Sequence, residues 1–181
     1  IYAVGTERRK LQVEGEKEFS GRGVSYCAVC DAAFYKDKIT AVAGGGDTAL
    51  GDAALLSKFA KKVYLIHRRD ELRASKAMQE KVFRTPNIEM VWNSIPKEIV
   101  GEKKGFSKAV TGVVVENAIT KELKTIPIDG FFVAIGHTPN TLVFKDQLEL
   151  DEHNYIKTIP GTTITNIAGV FAAGDVQDKT Y

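Results

Sequence analysis

The chain has 181 residues, with 25 Lys+Arg against 23 Asp+Glu and three His, so its formal net charge is +2. That balance excludes a strongly basic nucleic-acid binder and a polyacidic tail. With 44% hydrophobic and 27% charged residues it has the composition of a soluble globular domain, and no apolar run approaches the roughly 18 residues of a membrane helix.

Length alone suggests about one domain. The opening Ile1-Tyr2-Ala3-Val4-Gly5 reads as the end of a buried strand. There is no initiator Met and no signal peptide, so the chain reads as a piece of something longer. Both of its cysteines, Cys27 and Cys30, fall in one Cys-x-x-Cys followed by Asp31. A secreted disulfide scaffold would spread more cysteines along the chain, so a cytoplasmic setting is expected. There the spacing means a redox pair, half a zinc site, or two inert buried thiols.

Lys38 to Ala43 predicts a short buried strand running into glycines. Asp47 to Ala60 predicts a helix, with Ala49, Ala53, Leu56 and Ala60 on one face and Gly51 a mild inconsistency within it. Lys62 to Ile66 is a second strand. Asp70 is expected to cap a second helix that runs to about Arg84, ahead of Pro86. Ile88 to Trp92 is a third strand candidate. The pattern then turns β-rich over 97–102, 109–117 and 123–128, punctuated at Gly105 and Thr120-Lys121-Glu122, which predicts a hairpin or meander. Phe131 to Ile135 resumes a buried strand ending at Gly136. A hairpin is expected around Asp151 to Asn154, and a last apolar strand over Gly169 to Ala173 ahead of Gly174-Asp175. Strand–helix–strand followed by further strands is an α/β class.

Gly44, Gly46 and Ala49 form G-x-G-x-x-A between a predicted strand and a predicted helix, the context that makes this motif informative. Gly44 allows the tight turn, Gly46 lets backbone approach a pyrophosphate, and Ala49 lets the helix pack close to the strand. The helix N-terminus offers N–H groups to phosphate. The alternative is a glycine turn that merely joins strand to helix. About 20 residues on, an NAD site places an acid on the ribose 2′-hydroxyl. This chain instead has His67-Arg68-Arg69, with Arg73 one helical turn later. Guanidinium forks suit a 2′-phosphate, and hence NADPH, although a solvated basic face has the same composition. His67 alone reads as structural.

In the redox reading, Cys27 and Cys30 open and close a disulfide by thiolate exchange, and Asp31 shuttles the proton that the leaving thiolate needs. The zinc reading lacks ligands: there is no second Cys pair, and the three His lie scattered at 67, 137 and 153. No metal is expected. Hydride from a nicotinamide carries two electrons at once, and a flavin, FAD or FMN, commonly mediates their passage to sulfur. A second glycine-rich βα turn for such a flavin is not present.

Together these residues resemble the low-molecular-weight thioredoxin reductases. The resemblance rests on Gly21 to Asp31, on Gly44-Gly45-Gly46-Asp47-Thr48-Ala49, on His67-Arg68-Arg69-Asp70, on Phe132 to Asn140 with Gly136-His137 at its centre, and on Gly169 to Val176. It covers essentially the whole chain. It implies a Rossmann-like NADPH-binding domain with a β-meander over residues 11–136, and parts of a second, FAD-type domain over 1–10 and 137–181. It also implies electron flow from NADPH to FAD, to the Cys27–Cys30 disulfide, and on to thioredoxin. In that scheme Cys30 is nearest the flavin and attacks thioredoxin, Cys27 is its partner, and Asp31 is the acid–base group. Gly44 to Ala49, His67, Arg68, Arg69 and Arg73 belong to the NADPH site, and Gly136, His137, Gly174 and Asp175 to cofactor contacts. The complete enzyme is expected to be a homodimer. The family's usual Cys-Ala-Thr-Cys is Cys-Ala-Val-Cys here, and its Ala-Thr-Gly near the start is Ala3-Val4-Gly5. Two other readings are a hydroperoxide-reductase flavoprotein, which uses NADH and is disfavoured by Arg68 and Arg69, and a nucleotide-binding module without catalysis.

Overall fold

A computed structural model describes residues 1–104 and 107–178. In chain order its elements are β1 (Thr6–Arg8), β2 (Val24–Ser25), α1 (Ala28–Asp31), β3 (Ile39–Ala43), α2 (Asp47–Leu56), β4 (Lys62–Ile66), α3 (Lys76–Phe83) and β5 (Ile88–Val91). They continue with β6 (Ser94–Lys104), β7 (Ser107–Asn117), β8 (Leu123–Pro127), β9 (Gly130–Val133) and β10 (His137–Pro139). The chain divides into two compact units, residues 10–136 and residues 1–9 with 137–181.

The larger unit is a three-layer sandwich. Its central sheet has the order β2-β9-β3-β4-β5, and every neighbouring pair is parallel. Alternation along each strand sends side chains to opposite faces. Val42, Val63, Leu65 and Phe132 pack with Ala49, Leu50, Ala53 and Leu56 of α2 and Val82 of α3. Ala41, Ala43, Ile66, Phe131 and Val133 pack instead with Ile99, Val110, Val113, Val115 and Ile126 of the antiparallel sheet β6-β7-β8. A sheet buried on both faces explains the near-continuous apolar runs of β3, β4 and β9.

The meander and the parallel strands follow the sequence expectation; the turn expected at Gly105 lies outside the described residues. The helices differ at their ends. α2 stops at Leu56 rather than Ala60, because the N–H groups of Lys58 and Phe59 bond three residues back, to Leu55 and Leu56, and tighten the last turn. α3 starts at Lys76, with Ser75 rather than Asp70 at its N-cap. In a helix begun at Asp70, the Ser75 N–H would bond the Glu71 carbonyl. Both groups are engaged elsewhere: Ser75 N–H donates to Asp47 Oδ1 at 3.0 Å, and Glu71 O accepts from His67 Nε2 at 2.9 Å.

In the smaller unit β1 and β10 pair antiparallel, Arg8 opposite His137. The hairpin expected at Asp151 to Asn154 is present: Leu150 bridges Ile156, and the Asp151 carboxylate accepts from the His153 and Tyr155 N–H groups. Two expectations are corrected. Gly169 to Ala173 is no strand but makes isolated bridges, Phe171 to Ile164 and Ala172 to Tyr2. The opening residues are not buried; Ile1 is 91% exposed, and the single Tyr2 bridge is too little pairing to form a ladder.

Candidate functional site

Because the central sheet is all parallel, the C-terminal ends of its strands lie along one edge. β2 delivers Cys27 there, β3 the Gly44 loop, β4 His67 to Arg69, and β9 Gly136. β9 lies between β2 and β3, so the chain order reverses at that point, where open α/β sheets bind ligands.

Cys27 and Cys30 are joined by a disulfide, with Cα atoms 5.3 Å apart. Cys27 is the N-cap of α1 and half-buried; its Sγ accepts from the Cys30 N–H at 3.2 Å. Cys30 is exposed on the first turn. Asp31 closes the helix, its N–H donating to Cys27 O. One Asp31 oxygen accepts the Ser25 hydroxyl at 2.6 Å, and the same Ser25 Oγ accepts the Cys27 N–H at 3.1 Å. Ser25 is 6% exposed and went unrecognised in the sequence as a site residue. Its signal was a serine two residues before the first cysteine, the spacing at which a hydroxyl bonds the backbone two residues on. The phenol of Tyr35, one turn beyond Asp31, is pushed above its ordinary value by burial first, then by the charges of Asp31 and Asp129.

A second polar cluster lies just upstream. The buried Glu16 carboxylate accepts from the Leu11 N–H at 2.9 Å, the Gln12 N–H at 2.7 Å and the Tyr26 hydroxyl at 2.9 Å. Burial, followed by Glu16, raises the Tyr26 phenol well above its usual range, so it stays a donor. Glu16 thus ties the chain entering this unit to the residue beside Cys27. Nothing in its local sequence distinguishes it from the neighbouring Glu14 and Glu18.

At the glycine loop, a Cβ on Gly44 (φ +156°) would stand 2.4 Å from the Ala134 carbonyl oxygen and 2.5 Å from Ala49 Cβ, so both glycine and a small partner are required. On Gly45 it would strike the His67 ring at 2.2 Å. A Cβ on Gly46, the N-cap of α2, would meet nothing within 4 Å; open space lies over the first turn of the helix. Asp47 and Thr48 are exposed on that turn. Asp47 is engaged at the surface: its Oδ1 accepts from Ser75 N–H at 3.0 Å and Ser75 Oγ at 2.8 Å, bonds that hold its carboxyl below the ordinary value.

His67 is buried, while Arg68, Arg69 and Arg73 are exposed. Burial, then the charges of Arg73 and Arg68, lower the His67 imidazole below its usual 6.5, against the pull of the Glu71 and Gly44 carbonyls. A neutral ring packed on Gly45 fixes the loop. The Arg73 N–H donates to Gly45 O at 2.8 Å, so the basic segment and the glycine loop are bonded to one another.

The remaining candidates lie at the boundary and in the smaller unit. Gly136 has φ +102°, and Gly174 has φ +75° at the start of a 3-10 turn that carries the exposed Asp175. His137 is lowered by burial first and by Arg8, with Asp175 opposing. Among the described residues no three His, Cys, Asp or Glu side chains gather in a way that could hold a metal, and no helix is long and apolar enough to cross a membrane.

The chain is 50% identical over its full length to a thioredoxin reductase of Streptomyces coelicolor, covering 55% of that protein. It is likewise 50% identical to one of Dictyostelium discoideum, covering 56%. The crystal structure of Lactococcus lactis thioredoxin reductase superposes with a TM-score of 0.86 at 40% identity, over 99% of this chain and 57% of that one. The chain therefore spans a little over half the length of these relatives. A family model for pyridine nucleotide-disulphide oxidoreductases matches residues 1–181, from end to end. The chain belongs to the pyridine nucleotide-disulphide oxidoreductase family.

Proposed function

We propose that the protein is an NADPH-dependent thioredoxin-disulfide reductase, with residues 11–136 as its NADPH-binding domain and residues 1–10 and 137–181 as parts of its FAD domain. One observation carries the reading: a disulfide and a glycine-loop nucleotide site share one edge of one parallel sheet. The names of the relatives add thioredoxin as the disulfide substrate.

The residues present fit NADPH. The first turn of α2 under the open space at Gly46 suits the pyrophosphate, and Arg68, Arg69 and Arg73 suit the 2′-phosphate. His67 and Asp47 act indirectly, by holding the loop. For FAD, the smaller unit offers Gly174 and Asp175, but its described residues include no glycine-rich strand-to-helix turn. A flavin, when bound, converts two-electron hydride chemistry to sulfur chemistry.

The steps that belong to this chain's own residues are thiol–disulfide exchange. Two electrons and two protons convert the Cys27–Cys30 disulfide to a dithiol. The exposed Cys30 thiolate attacks the thioredoxin disulfide, Cys27 then attacks the mixed disulfide, and reduced thioredoxin leaves. Asp31 holds and returns the proton. A cytoplasmic, homodimeric enzyme follows from the same reading. In the complete enzyme, Cys30→Ser should abolish thioredoxin reduction, read by insulin precipitation, yet leave flavin reduction by NADPH intact. Turnover of thioredoxin at near wild-type rate in Cys30→Ser would contradict it.

A further inference from the structure

We propose that Ser25 is a positioning residue for the dithiol chemistry: its hydroxyl holds Asp31 beside Cys27 and changes acceptor when Asp31 changes protonation. This rests on the reading of Asp31 as the acid–base group.

Ser25 ends β2 next to the buried Val24 and is itself 6% exposed. A hydroxyl there is costly unless bonded. It has one hydrogen to give and two acceptors within reach, Asp31 Oδ2 at 2.6 Å and the Cys27 carbonyl at 3.4 Å. Its oxygen meanwhile accepts the Cys27 N–H at 3.1 Å. With Asp31 ionised, the hydroxyl donates to the carboxylate, the shorter and charge-assisted bond. With Asp31 protonated, the carboxyl has its own hydrogen, and the Ser25 hydroxyl can turn to the Cys27 carbonyl without being orphaned. Both protonation states are therefore satisfied within one half-buried arrangement.

Reduction by an external dithiol shows what this does. A reductant thiolate attacks the exposed Cys30 Sγ and forms a mixed disulfide. The Cys27–Cys30 bond breaks, and its electron pair leaves on Cys27 sulfur, which takes the proton of Asp31. The second reductant thiolate then attacks the mixed disulfide, releasing Cys30 as thiolate and the reductant as a cyclic disulfide. Asp31, now ionised, receives the Ser25 hydroxyl and regains its proton from solvent. Other ionisable groups surround this pair. The charges of Asp31 and Asp129 act on Tyr35, and α2, packed on α1, carries Asp52 and the Ser75-bound Asp47. The Ser25 hydroxyl is bonded to Asp31 Oδ2 and to the Cys27 backbone.

The test is the pH profile of disulfide reduction in the full chain by dithiothreitol, expressed per reductant thiolate and read by alkylation and mass. Loss of a donor to a carboxylate favours its protonated form. Ser25→Ala should therefore move the Asp31-dependent inflection to higher pH. Ser25→Thr, which keeps the hydroxyl, should restore the wild-type inflection. Asp31→Asn should lack it, and the Ser25→Ala/Asp31→Asn double variant should match Asp31→Asn. An unmoved inflection in Ser25→Ala, with only a uniform change in rate, would overturn the proposal and leave Ser25 as a turn cap. An inflection that survives in Asp31→Asn would overturn the acid–base reading and this proposal with it. Because no thioredoxin or flavin enters the assay, either result is separable from failure of the reductase reading.

Discussion

At the scale of residues, the candidate site is organised by side chains that hold other parts of the protein in place. His67 is the clearest case: its ring lies where a Cβ on Gly45 would be, and its Nε2 holds the Glu71 carbonyl. Its folded value is lowered below 6.5 by burial and by Arg73 and Arg68. The stability it contributes is therefore fully present above that value and lost as pH falls through the folded one, where the unfolded chain binds the proton more readily. Gln can replace the donor to Glu71 but does not titrate. The gap in unfolding free energy between wild type and His67→Gln should thus narrow as pH is lowered from about 7.5 to about 5.5. Denaturant melts across that range measure it; a gap independent of pH would mean the ring is not kept neutral by its surroundings. Lowering of His137 has the same sign but acts in both proteins and cancels in the comparison.

At the scale of elements, what could be read in the sequence is what lies within one contiguous motif. Gly44 to Ala49 shows its own turn and helix start, and Cys27 to Asp31 shows its own pair and acid. The meander is legible from its β-branched runs, such as Val113-Val114-Val115. Contacts between motifs are not legible. Ser75 displaced Asp70 as the cap of α3 because Asp47, 28 residues upstream, took the Ser75 N–H. Glu16 is hidden for the same reason, its partners being Leu11, Gln12 and Tyr26, whereas Ser25 shows only as a serine two residues before Cys27. Gly51 is an element-level feature with no contact that requires it. It has an ordinary helical backbone in α2, and a Cβ there would lie 3.9 Å from the Met78 methyl, an ordinary contact. Gly51→Ala should therefore stabilise the larger unit by about 0.5–1 kcal/mol, seen as a raised thermal midpoint. A lowered midpoint would show that α2 and α3 cannot accommodate even one methyl group at their contact.

At the scale of the whole molecule, one all-parallel sheet with β9 between β2 and β3 puts a disulfide, a glycine loop and a basic segment on a single edge. Helices cover one face of the sheet and the meander the other, and the 2.8 Å bond from Arg73 N–H to Gly45 O joins the two halves of the proposed nucleotide site. The proposed electron path needs this edge to take a reduced nicotinamide dinucleotide carrying a 2′-phosphate. Arg68 and Arg69 stand where an NAD site would carry an acid, and hydrogen bonds from such forks to phosphate are worth about 1.5–3 kcal/mol each. Even one such contact gives a preference of roughly tenfold or more for NADPH over NADH. The decisive measurement is a binding titration of both nucleotides on the wild-type chain and on Arg68→Ala/Arg69→Ala. NADPH binding should weaken by roughly tenfold or more in the double variant while NADH binding changes little. Equal loss for both nucleotides, or no NADPH preference in the wild type, would contradict a 2′-phosphate site at this edge and with it the reductase reading.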